Sequence, residues 1–156
     1  AAAETEARVV IISDHADDYL IPPPLYAKYC VPVYQEACAI LHPAGQIVST
    51  HVDGNLRGLL PLFQRTGIDL LDGCTPAPMS NYDVRELSQA LAGRLFAYCG
   101  IPSALFMGNW SESEILGFAE RIEQESRGRM ILNVGDILSP EGQIEAVIRV
   151  GEWARE

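Results

Sequence analysis

The stretch Ile47 to Asn55, "IVSTHVDGN", holds an imidazole and a carboxylate at a spacing that chemistry can use. It leaves a β-branched run, presents His51, skips Val52, presents Asp53 and turns on Gly54. Successive side chains of a strand point to opposite faces, so His51 and Asp53 share one. Two readings stand side by side. In the plainer one, Asp53 caps a helix that begins near Asn55, and His51 is a core histidine with a satisfied hydrogen bond. In the other, the pair supplies two ligands of a metal site, and Asp136 in "NVGDIL" adds a third across the mouth of a barrel.

Similar side chains recur wherever a strand gives way to a helix. Asp14 and His15 follow the first expected strand, Asp72 and Cys74 the third, Cys99 the fourth and Asp136 the fifth. Asp14 and His15 either open a loop or supply acid–base or substrate contacts. Cys74 and Cys99 are of a type most often buried as a small apolar group, and Cys74, beside prolines, is the better placed to meet a ligand. Asp17 and Asp18 read as solvated loop charges, His42 as structural, and Tyr26, Tyr29 and Tyr34 as packing. Trp110 and Trp153 require no function. No strand-to-helix turn carries a G-x-G-x-x-G or G-x-x-x-x-G-K-[ST] loop, so a dinucleotide or P-loop site lacks support.

The elements that must position these residues alternate. "RVVIIS" (Arg8 to Ser13) is the continuous apolar run of a strand buried on both faces. A helical stretch comes next, from about Pro23 to Ala44, which Pro32 must kink or divide. "QIVSTH" is the second strand, "IDLLDG" the third, "LFAYCG" the fourth and "MILNVGD" the fifth. Between them lie "NLRGLLPLFQRTG", stopped by Gly67, a helix from about Asp83 to Gly93, and "SESEILGFAERIEQESRG"; "GQIEAVIRVGEWARE" closes the chain. Asp83 with Glu86, and Ser111 with Glu114, have capping-box spacing. Alternating β and α elements imply a parallel sheet with right-handed crossovers, either an open doubly wound sheet or part of a (βα)8 barrel. Length alone favours the open sheet, because a complete barrel takes roughly 250 residues.

Composition narrows the partners. The chain has 156 residues, 48% hydrophobic, with 11 basic against 21 acidic side chains and a formal charge of −10; mean hydropathy is +0.07 and the pI about 4.7. That balance argues against nucleic acid, whose backbone is bound by clustered Lys and Arg. The four cysteines form no C-x-x-C pair, which fits a reducing, cytoplasmic setting. The apolar run Val9 to Ile12 is too short to span a bilayer, and "AAAETEAR" lacks the features of a signal peptide and an initiator Met. No membrane association is expected.

Three segments together, "HADDYLIPPPLYAKYCVPVYQEA", "GQIVSTHVDGNLRGLLPLFQRTGIDLLDGCTPAP" and "ILNVGDILSPEG", resemble the C-terminal part of the uroporphyrinogen decarboxylase superfamily. The resemblance runs from about Arg8 to the closing helix. Its most specific pieces are the P-x-L-Y/F-x-x-x-x-x-P-x-Y segment and the H-x-(C/D)-G strand end. It implies a (βα)8 barrel of which these are the last five units, the first three being missing. One branch of the superfamily decarboxylates a porphyrinogen without a cofactor, in porphyrin biosynthesis. The other, cobalamin-dependent methyltransferases, binds zinc through H-x-C and a later cysteine and moves methyl groups between a corrinoid and a thiol. Here His51 matches the methyltransferase histidine, Asp53 stands where the first zinc cysteine would be, and Asp136 where the second would be. Oxygen donors in place of thiolates make zinc a less natural choice but still allow a divalent metal.

The resemblance and the strand-end residues together imply a metal-assisted methyltransferase or related enzyme with metal ligands His51, Asp53 and Asp136. Asp14, His15 and Cys74 would act in catalysis, and Arg57, Asp72 and Cys99 would bind substrate. A divalent metal, zinc among the candidates, and a corrinoid methyl carrier would serve as cofactors, and the partner is a small-molecule methyl donor. The alternatives are porphyrinogen decarboxylation, with Asp14, His15 and His51 lining the cleft, and an inactive half-barrel that pairs with another copy or with the missing half. Against decarboxylation, acidic strand ends would repel a polycarboxylate, with only Arg57 near in sequence to offset them.

Overall fold

A computed structural model describes residues 2–135 and 137–156, except for the side chains of Ser13 and Asp14. Five strands form one sheet: β1 (Val9–Ala16), β2 (Ile47–Val52), β3 (Leu70–Cys74), β4 (Phe96–Pro102) and β5 (Met130–Gly135). All four pairings are parallel, and the strands lie in the order β1-β2-β3-β4-β5. An open doubly wound sheet reverses its order at a switch point. This sheet never reverses, so successive right-handed crossovers stack every helix on the same side, as in one sector of a barrel. The preference that length gave to the open sheet is thereby overturned.

The helical side is the core. Val48, Thr50 and Val52 of β2, Leu71 of β3 and Ala97, Cys99 and Ile101 of β4 are buried. They lie under α2 (Val31–Leu41), α3 (Leu60–Thr66), α4 (Val84–Ala90) and α5 (Glu112–Ser126), which contribute Tyr34, Phe63, Leu87 and Ile115 to the same cluster. Thr50 is tolerated there because its hydroxyl donates to the Ile12 carbonyl at 3.1 Å and accepts from the Tyr34 hydroxyl at 2.8 Å. The opposite face is incompletely covered, although Ser49 on it is buried. Val9, Ile11, Ile47, Phe96 and Ile131 are exposed along it, Ile11 by 56%.

Local chemistry sets the helix ends. The expected helix from Pro23 resolves into a single turn α1 (Pro23–Leu25), a π-helical turn Tyr26–Cys30 and then α2. Pro32 has no N–H to give to the ladder, and the wider turn, in which the Val31 N–H bonds the Tyr26 carbonyl, carries the chain past it. Both expected capping boxes form: Asp83 and Glu86 start α4, and Ser111 and Glu114 start α5. Gly67 ends α3 at φ +85°, and α6 (Ile144–Trp153) is the closing helix.

His42 is structural, as its position suggested. Its Nε2 lies 2.8 Å from Asp69 Oδ2, which also accepts the Val48 N–H at 2.9 Å, while Arg94 pairs with Oδ1. Burial works against the charged Asp69 carboxylate, but the Val48 N–H, Arg94 and His42 together outweigh it and hold its pKa below the ordinary value. A lowered folded pKa contributes stability that is complete above the ordinary carboxylate value and is lost as pH falls through the folded one. Asp69→Asn is therefore expected to cost about 2 kcal/mol at neutral pH. Urea unfolding measured from pH 7 downward should show this deficit shrinking below roughly pH 4.

Candidate functional site

The pairing of β1 with β2 builds the site. Ile12 is opposite Thr50 and Ala16 opposite Val52, so four steps along β1 match two along β2 and two extra residues bulge out. An even insertion preserves the facing of the residues beyond it. Ala16 and Val52 are both fully buried on the helical side, so His15 and His51, one residue before each, turn to the other face. Their rings meet edge to face, with centroids 5.2 Å apart at 90°. Asp53 comes next; its N–H donates to the Ala16 carbonyl at 3.2 Å, and its Oδ2 lies 3.8 Å from His15 Nδ1. One donor atom from each of His15, His51 and Asp53 falls within 4.8 Å of the other two. A shallow cleft of about 240 Å³ opens beside His15 and Asp53, lined also by Asp17, Leu20 and Gly54.

A second layer stands behind His51. Asp72 is opposite His51 in the β2–β3 register, and its Oδ2 lies 3.3 Å from His51 Nδ1. Room for the ring comes from Gly73. It sits at φ +92°, and a Cβ there would stand 2.8 Å from His51 Cε1 and 2.5 Å from the Val52 carbonyl oxygen. Only glycine meets both demands.

Turn chemistry holds the strand ends in place. Asp17, read from sequence as a solvated charge, accepts the Asn55 N–H at 2.8 Å and the Tyr19 N–H at 2.7 Å. Burial is the largest single influence and opposes its charge, but the backbone donors together prevail, lowering its pKa. Gly54 turns at φ +67° with the Asp17 carboxylate where a Cβ would go. Asp17 thus caps the turn that the plainer reading gave to Asp53, and the Asp53 carboxylate faces His15 instead. Asp18 likewise accepts the Gly58 N–H at 2.9 Å and the Asn81 amide at 3.2 Å, while Asn81 Oδ1 accepts the N–H groups of Leu56 and Arg57 at 3.0 and 3.1 Å. The loops after β1, β2 and β3 are tied together by these bonds.

The remaining expected site residues divide. His15, expected in catalysis, joins His51 and Asp53, and Asp72, expected to bind substrate, backs His51. Cys74 and Cys99 do not join them: both are fully buried in the core against the helices. Burial, with Cys99 and Asp72 nearby, pushes the Cys74 thiol well above its usual pKa, and burial raises Cys99 to about 12. Neither presents a reachable thiolate, which corrects their expected roles in catalysis and substrate binding. Arg57 is exposed but committed, its Nε and Nη2 donating to the two Glu86 oxygens at 2.8 and 3.0 Å. The Asp14 side chain and Asp136 lie outside the described residues.

Two imidazoles and one carboxylate are a donor set for a divalent cation of borderline hardness. Among the described residues no helix is long and apolar enough to cross a membrane. The uroporphyrinogen decarboxylase (URO-D) family model matches residues 1–156. No curated protein sequence matches. Among solved structures, a methyltransferase from Methanosarcina mazei superposes with a TM-score of 0.71 at 14% identity, over 97% of this chain and 43% of its own. The chain therefore spans less than half the length of that enzyme. Replacing Gly73 by Ala is expected to lower stability by about 2–4 kcal/mol. Thermal unfolding by circular dichroism measures the loss, and the His51 ring resonances should shift in the same variant.

Proposed function

Because the chain belongs to the uroporphyrinogen decarboxylase family, a family of enzymes, we propose that it carries the metal-binding strand ends of a group-transfer enzyme of the methyltransferase type. The observation that supports this reading is the convergence of His15, His51 and Asp53 within 4.8 Å on adjacent strand ends, the edge where barrels of this kind hold their active sites. His15, His51 and Asp53 are the proposed ligands. Ligand atoms around a tetrahedral ion stand about 3.3 Å apart, so side-chain rotations of roughly an ångström bring the three into range. A divalent ion held there supplies Lewis acidity that lowers the pKa of a thiol and favours its attack as an anion. The chain's own part is to orient and to exclude. The bulge in β1 delivers His15, the Asp53 backbone is locked to Ala16, and Asp17 and Asn81 hold the surrounding loops.

A porphyrinogen with several carboxylates is the weaker candidate. Asp53 and Asp72 face the site, and the guanidinium of Arg57 is already engaged by Glu86. A methyl donor such as a corrinoid, with a thiol acceptor, does not bring such an array of carboxylates.

Equilibrium dialysis against zinc, cobalt(II) or manganese(II), with elemental analysis of the retained protein, tests the site. About one equivalent should be retained by the purified chain, and His15→Ala, His51→Ala and Asp53→Ala should each weaken retention by roughly tenfold or more. Methyl transfer from methylcobalamin to a thiol, monitored by corrinoid absorbance, then tests the reaction. Protein that binds no metal but binds a porphyrin would leave the decarboxylase branch.

The exposed apolar side chains on the second sheet face support a further part of the proposal: in the active enzyme they are covered, by the remaining units of a barrel or by a second copy. Ile11 and Ile131 are the residues to change. Size-exclusion chromatography with light scattering should find the isolated chain self-associated and Ile11→Ser/Ile131→Ser shifted toward monomer. A monomeric unsubstituted chain would contradict cover by a second copy.

A further inference from the structure

We infer that Asp72 is a positioning residue that selects the tautomer of His51. The inference deepens the metal reading above and rests on it for its consequence, but not for its first test. In a neutral imidazole one ring nitrogen carries the proton and the other accepts or ligates, and the partner of one nitrogen decides the role of the other. His51 Nδ1 has such a partner: Asp72 Oδ2 at 3.3 Å, across the β2–β3 register. The carboxylate can only accept, so it holds the proton on Nδ1 and leaves Nε2 as the lone-pair nitrogen.

Two further observations fix the arrangement rather than leaving it to rotamer chance. The ring lies against Gly73, whose missing Cβ provides its clearance on that side: a methyl group would approach Cε1 to 2.8 Å and Nδ1 to 3.1 Å. The ring also makes an edge-to-face contact with His15. Both residues of the pair are largely shielded, the side chains of His51 and Asp72 being 28% and 34% exposed, whereas His15 is 72% exposed and has no comparable carboxylate at hydrogen-bonding distance among the described residues. The two imidazoles are thus unequal. His51 would be the pre-oriented ligand of an ion bound here, and His15, the more exposed, the freer one. Asp72, which the sequence placed with the substrate, acts through His51 instead.

The test separates tautomer from metal. In metal-free protein, long-range ¹H–¹⁵N correlation spectra at a pH where His51 is neutral should show Nδ1 protonated and Nε2 bare. Asp72→Asn keeps an accepting oxygen and should retain that pattern; Asp72→Leu should shift His51 toward the Nε2-protonated form common in free imidazole. In the same variants zinc affinity, read by competition with a chromogenic chelator, should fall about 10- to 100-fold for Asp72→Leu and by less for Asp72→Asn. Asp53→Asn should weaken zinc without moving the His51 tautomer. An unchanged Nδ1-protonated spectrum in Asp72→Leu with its fold intact by circular dichroism would overturn the inference. If the tautomer tracks Asp72 but no variant, nor the parent protein, binds zinc, the positioning role stands and the metal reading fails.

Discussion

The register between β1 and β2 is the constraint on which the rest of the site depends. Ala16 and Val52 are locked side by side in the core, and the two extra residues in β1 carry the chain out and back before that point. Facing alternates strictly along a strand, so once Ala16 and Val52 point inward, His15 and His51 have no choice but to point outward together. The Asp53 N–H bonding the Ala16 carbonyl extends the same ladder by one rung and brings the third donor. A slip of a single residue in this pairing would leave the two imidazoles on opposite faces of the sheet.

Around this register lies a set of carboxylates with different tasks. Asp17 and Asp18 commit their oxygens to backbone N–H groups and hold loops; Asp69 does the same at the opposite end of β3. Asp69 also meets an imidazole, His42, whereas Asp53 and Asp72 meet imidazoles without a backbone donor beside them among the described residues. The first group lowers the cost of sharp turns by satisfying otherwise unpaired donors. Among the described residues, no turn hydrogen bond to a backbone N–H engages the carboxylates of the second group. Chain-wide charge of −10 therefore says little about the site by itself, because the individual partners decide which acids are available.

Much of the frame was legible in the residues. Alternating apolar runs and capping boxes located five βα units, and the i, i+2 spacing of His51 and Asp53 identified a shared face. Strand order was not legible, because the pattern of apolar residues is the same for a sheet wound in one direction as for one wound in two. Nor was the convergence of His15, since no local signal announces that two residues of β1 will be left over in the pairing. Asp72 and Gly73 illustrate the same limit: their meaning comes from the neighbouring strand, where His51 sits over the glycine. Asp17 was misread for a related reason, its partner Asn55 being remote in sequence. The two cysteines at strand ends were misjudged by facing, as Cys74 and Cys99 both turn toward the helices.

The unbroken strand order has a consequence for how such a sheet is assembled. Every strand pairs with the strand one βα unit before or after it, so no pairing in the sheet waits for a distant part of the chain to arrive. Loop-closure entropy grows only as the logarithm of the intervening length, and each closure here spans only the helical segment and loops of one βα unit. Folding rates depend on the sequence separation of contacts, and this topology keeps that separation low for a parallel sheet. The sheet can therefore grow by accretion during synthesis, each new unit docking on an edge already formed, with His15 waiting on the first strand until β2 brings His51 and β3 brings Asp72 beside it.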